Sequence, residues 1–127
     1  MKIKLLQFFF VGAAGALGAM ARLGVSQFFS RFGFTFPVAT FLINISGSLF
    51  LGWFFAFAAN RLDISDYLRL AIATGFVGAY TTFSTFMVES DGMLRDGAFW
   101  RASIYIIGSL VLGLLAARVG FVLGRHP

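Results

Sequence analysis

A chain of 127 residues that is 59% hydrophobic and only 12% charged has too little polar surface to cover a water-soluble domain. Its net charge of +5 is scattered at the ends of apolar runs instead of being gathered on one face, which argues against nucleic acid as a partner. With no cysteine and a single histidine, His126, disulfides, thiolate chemistry, Cys or His metal sites and His-dependent catalysis are all excluded, so the chain is not read as an enzyme.

Charge-free stretches cover Leu5–Ala21, Phe32–Asn60, Leu70–Val88 and Ala102–Ala117, the last continuing apolar past Arg118 to Gly124. At ~1.5 Å per residue each crosses most or all of a ~30 Å hydrocarbon core. The prediction is an all-α membrane protein with four transmembrane helices in a single unit spanning 1–127. Connections of about ten residues leave nothing for a soluble domain. Any larger function then needs more than one copy.

The first stretch, with Lys2 and Lys4 ahead of it and Ala19-Met20-Ala21 behind, has the outline of a secretory signal peptide. Gly12, Gly15, Ala16 and Ala19, however, recur every three or four residues and give a helix a flat face for close packing. It is read as helix 1. In the second stretch, Thr40, Asn44 and Ser48 share a face by their spacing of four. An intramembrane Asn serves either as interhelical hydrogen-bonding glue or as an amide donor presented to a passing anion.

The third stretch is the least suited to lipid. Gly75-Phe76-Val77-Gly78-Ala79-Tyr80-Thr81-Thr82-Phe83-Ser84-Thr85-Phe86 crowds Gly, Thr and Ser at membrane depth, where irregular backbone is tolerated only if buried in protein or lining a polar path. A helix break is predicted over residues 78–82, because Gly tolerates unusual backbone angles and Thr disfavours helix, freeing carbonyls for a cation or a partner chain. Phe83 and Phe86, three apart, can present ring edges along one line. A ring edge is the positive end of the aromatic quadrupole and favours an anion, but Phe is also the commonest filler here, at 18 residues. Basic residues are divided six to four between the two sides of a four-span arrangement, too even to choose an orientation. That indecision permits insertion both ways up and an antiparallel dimer.

Three separated motifs carry a family resemblance over essentially the whole chain. They are the Gly-rich run Gly12 to Arg22, the Thr40-x-x-x-Asn44-x-x-Gly47 pattern, and Thr74-Gly75-x-x-Gly78 followed by Thr81-Thr82-Phe83-Ser84-Thr85-Phe86. The chain resembles the Fluc (CrcB) fluoride channels, with Ala39 in place of the Gly common before the Thr and Ala79-Tyr80 where Gly is common. The resemblance implies an antiparallel, dual-topology homodimer with two fluoride pores in a bacterial inner membrane. Phe83 and Phe86 would be pore phenylalanines, Asn44 the anion-facing amide, Thr82, Ser84 and Thr85 the nearby hydroxyls, with Tyr105 and Ser109 beside the pore. Carbonyls of Gly78 and Thr81 would hold a structural sodium ion on the two-fold axis. Glu89 matches a polar position near the pore's end, or is a solvated helix-end carboxylate.

Fluoride suits these residues. A small, strongly hydrated anion needs closely spaced donors in place of its water, and no Lys or Arg between Leu70 and Val88 would trap it. A negative-inside potential would drive passive export. The rival is a small dual-topology multidrug exporter, which needs a mid-membrane carboxylate. Asp63, Asp66, Glu89, Asp91 and Asp96 are all read as lying in loops or at helix ends.

Overall fold

A computed structural model describes residues 4–125. Lys2 and His126, which entered the charge count and the metal argument, lie outside the described residues. Four segments are long and apolar enough to cross a membrane: Leu5–Ser30, Val38–Ala58, Asp66–Arg95 and Phe99–Gly124. The first two are the single helices α1 (Leu5–Ser30) and α2 (Val38–Ala58), and the last is α6 (Phe99–Gly124). Tight turns join the elements at Gly33 and Gly97, whose φ values of 61° and 75° lie in the left-handed region that a side chain disfavours.

The third span is composite. Asp66–Leu70 forms α3, capped by Ser65, whose hydroxyl accepts from Leu68 N–H; Ala71–Val77 is π-helical; Gly78–Tyr80 is a short α4. Thr81 (φ −79°, ψ 159°) and Thr82 (φ −150°, ψ 115°) are extended, and α5 resumes over Phe83–Arg95. The break therefore falls inside the predicted interval, but on the threonines: Gly78 itself is helical at φ −59°, ψ −36°. The π-helical segment has no counterpart in the sequence reading. It places one extra residue in the turn, and Gly78 N–H reaches back to the Ala73 carbonyl, five residues earlier. α5 also runs past the charge-free stretch, so Glu89 and Asp91 lie within a helix and not at its end.

Small residues set the helix spacing. Along the α2–α6 crossing, Gly52 abuts the Ala117 carbonyl, Gly120 the Leu49 carbonyl and Gly124 the Trp53 carbonyl, and none leaves room for a Cβ. α1 packs in the same way on the π-helical segment, with Gly18 against the Phe76 carbonyl and Gly75 against Val11. The small-residue face of helix 1 exists, but its register is Val11, Ala14, Gly15 and Gly18, and Gly12 faces open space. Few side chains are fully buried, and large apolar ones such as Phe8 and Leu114 stand exposed. In hydrocarbon such exposure costs nothing, and helix association rests on close packing and hydrogen bonds.

Candidate functional site

The break is made by hydrogen bonds that compete with the helix. From α2, Asn44 Nδ2 donates to the Thr82 carbonyl at 3.0 Å while Thr82 N–H donates to Asn44 Oδ1 at 2.8 Å. One amide thus satisfies both polar groups of an extended residue at membrane depth, where no water would do so. Thr82 Oγ1 accepts from Thr85 N–H at 3.2 Å and donates to Thr85 Oγ1 at 2.9 Å, capping α5. Thr82 and Thr85 N–H are the donors that a continuous helix would send to the Gly78 and Thr81 carbonyls. Both are diverted, so those two carbonyls are released from the ladder. Thr81 closes α4 instead, its N–H and Oγ1 both donating to the Val77 carbonyl at 3.0 and 2.9 Å.

Around this break lie two clefts. The first, of about 480 Å³, is bordered by Asn44, Thr81, Thr82, Phe83, Phe86 and Ser109, and no residue lining it is charged. Phe83 opens α5 and is 71% exposed, whereas Phe86 is 4% exposed. Their rings meet edge-on, 6.1 Å between centroids. Ser109 Oγ is buried with no hydrogen-bond partner among the described residues, a hydroxyl free to serve whatever enters.

The second cleft, on the α1 side, is bordered by Arg22, Ser26, Thr40, Thr82 and Thr85 and has a volume of about 250 Å³. A neighbouring one of about 410 Å³ takes in Thr40, Thr85 and Glu89. Thr82 borders both sides of the break.

Behind Phe86 stands Tyr105, fully buried, its ring edge-on to Phe86 at 4.9 Å and to Phe36 at 5.2 Å. Its hydroxyl donates to Glu89 Oε2 at 2.7 Å, and Thr40 Oγ1 donates to Glu89 Oε1 at 2.8 Å. Glu89 is therefore not a solvated helix-end carboxylate: each of its oxygens accepts a hydroxyl from another helix.

Asn44, Thr81, Thr82, Phe83, Phe86 and Ser109 thus converge on one cleft, and Thr85 turns to the other. Tyr105 contacts Phe86 and Glu89 without lining either cleft. Ser84 is exposed and lines none of them, and Gly78 is exposed. Of the two tasks open to Asn44, the structure shows the hydrogen-bonding glue between helices, since both ends of its amide are engaged by Thr82, and one N–H is left for anything else. Sequence reasoning also missed the Thr40–Glu89–Tyr105 linkage, because the three positions are far apart in the chain and only α5's extension past Val88 brings Glu89 into reach. The hydroxyls of Tyr80 and Ser46 pair at 3.0 Å, and the Tyr80 ring stacks on Phe76, so the bulky residue beside the break has a defined seat. Among the described residues no cluster of three His, Cys, Asp or Glu side chains could hold a metal.

Residues 9–121 match the family described as CrcB-like protein, Camphor Resistance (CrcB). A protein of Trichormus variabilis named fluoride-specific ion channel FluC is 44% identical over 117 residues, covering 91% of this chain and 85% of the relative. A protein of the same name from Acidobacterium capsulatum is 42% identical over 122 residues, 95% and 98% of the two chains. One from Aquifex aeolicus is 37% identical over 118 residues, 92% and 95%.

Proposed function

From the premise that this chain belongs to the CrcB-like family, we propose that it is a fluoride-specific channel that lets fluoride leave the cell passively, as a multi-pass protein of a bacterial plasma membrane. The observation that carries the reading is the uncharged cleft bordered by Phe83, Phe86, Asn44 and Ser109. A fixed positive charge there would hold an anion too tightly for fast exit; a fixed negative charge would repel it. Edge C–H groups of the two rings, the unpartnered Ser109 hydroxyl and the remaining Asn44 N–H offer weak donors in succession. Arg22 lies on the other side of the break, where it can draw anions to the mouth without standing in the path.

The functional unit is an antiparallel homodimer with two such pores. Supporting this are the near-even basic residue distribution and the exposed Gly78 beside the break. The released Gly78 and Thr81 carbonyls fit a cation, because two copies meeting there would bring four partial negative charges together in low dielectric. Sodium at that point would be structural, neutralising the carbonyls and tying the copies together.

The test is fluoride efflux from liposomes containing the purified protein, against chloride, with and without an imposed proton gradient. Fluoride efflux well above chloride and independent of the proton gradient is expected. Equal chloride flux, or an obligatory proton requirement, would refute the channel reading.

A further inference from the structure

At the end of the bundle remote from the Gly97 turn, α2 and α6 finish side by side because Gly124 sits on the Trp53 carbonyl with no space for a Cβ. Between the two helix ends opens a cleft of about 1160 Å³, lined among others by Phe57, Arg61, Asp63, Phe121, Gly124 and Arg125. Both guanidinium groups lie over aromatic rings. Arg61 stands 4.0 Å above the centre of Phe57, and Arg125 is 5.8 Å from that of Phe121. Cation–π contact of this kind orients a guanidinium while leaving its N–H fork open.

The loop carrying Arg61 is itself held in place. Arg69 donates through Nε to the Ile64 carbonyl at 3.2 Å and through Nη2 to the Arg61 carbonyl. Among the described residues the ion pair present is Arg95–Asp91, which involves neither cleft arginine. Asp63 therefore leaves two oriented cations against one carboxylate.

Depth and charge together identify the occupant. α2's 21 residues span about 30 Å, so Arg61, three positions past its end, stands at headgroup level. Phe121 of α6 borders the cleft and is 37% exposed, and Leu123 and Leu115 further round the same helix are exposed as well. A ligand with a phosphate at one end and hydrocarbon at the other matches both features, and the guanidinium fork suits phosphate bidentately. We propose that this cleft binds the phosphate of an anionic phospholipid, with its acyl chains lying along α6. The site is separate from the conduction cleft and stands whatever ion crosses the membrane.

Delipidated protein, titrated with phosphatidylglycerol, phosphatidylcholine or inorganic phosphate and followed by native mass spectrometry, tests the assignment. Phosphatidylglycerol should be held more tightly than phosphatidylcholine. R61Q/R125Q should weaken it at least about twenty-fold, at roughly five-fold for each cation. Asp63→Asn, which removes the opposing charge, should tighten it about five-fold. Equal retention of the two lipids, or unchanged affinity in the variants, overturns the proposal. Displacement of phosphatidylglycerol by millimolar inorganic phosphate would show a site for a soluble anion and overturn the lipid assignment. If the double variant fails to assemble, Asp63→Asn decides alone, no tightening counting against the proposal.

Discussion

Asn44 shows how far a single residue type can be read in advance. Its place inside an apolar run marked it as important, but an amide that pins backbone and an amide that greets an anion look identical in sequence. The geometry gives it the first task, because Thr82 occupies both ends of the group. Asn44→Ala would leave an N–H and a carbonyl unsatisfied at membrane depth, at about 1–3 kcal/mol each, so both thermal stability and flux should fall. Unchanged melting with reduced flux would show that Asn44 acts only on the ion. The two phenylalanines separate in the same way. Phe83 is exposed, so Phe83→Ile should slow fluoride flux with stability changed by less than about 0.5 kcal/mol. Phe86 supports the Tyr105 ring at 4.9 Å, and Phe86→Ile should lower the melting temperature as well as the flux. Wild-type flux in both variants would make the rings filler.

At the scale of elements, the four spans were legible because apolar length is a composition property, and the break was legible because Gly and Thr at that depth contradict a plain helix. The π-helical segment was not, since a single added residue per turn leaves no mark on hydrophobic periodicity. Nor was the register of α1's packing face, because neighbouring stripes of Gly and Ala satisfy the same three-and-four spacing. The correction is testable. At Gly18 a Cβ would meet the Phe76 carbonyl, whereas at Gly12 it would meet nothing within 4 Å. Gly18→Ala should force α1 off the third span and destabilise by about 2 kcal/mol or more, while Gly12→Ala should be neutral or stabilising by up to ~1 kcal/mol through helix propensity. Equal melting temperatures for the two variants in the same detergent would contradict this packing.

For the whole molecule, the question is what covers the exposed surface beside the break, and Gly78 can answer it. Within one protomer Gly78 is exposed, and a Cβ there would approach nothing closer than the Ala73 carbonyl at 3.8 Å. Its backbone is helical, so a larger residue costs no strain and gains helix propensity. A lone protomer should therefore tolerate Gly78→Leu. In the proposed antiparallel dimer the same side chain would intrude where two copies bring their Gly78 and Thr81 carbonyls together, blocking both the contact and the sodium ion. The expected outcome is a folded chain, with wild-type helicity by circular dichroism, that elutes as a monomer and conducts no fluoride. Thr81→Ala should behave differently: it removes the hydroxyl bonded to Val77, at about 0.5–1.5 kcal/mol, but leaves the carbonyl and hence the dimer and its sodium dependence in place. An intact, conducting dimer in Gly78→Leu would place the partner's surface elsewhere and remove the basis for a sodium ion at the axis.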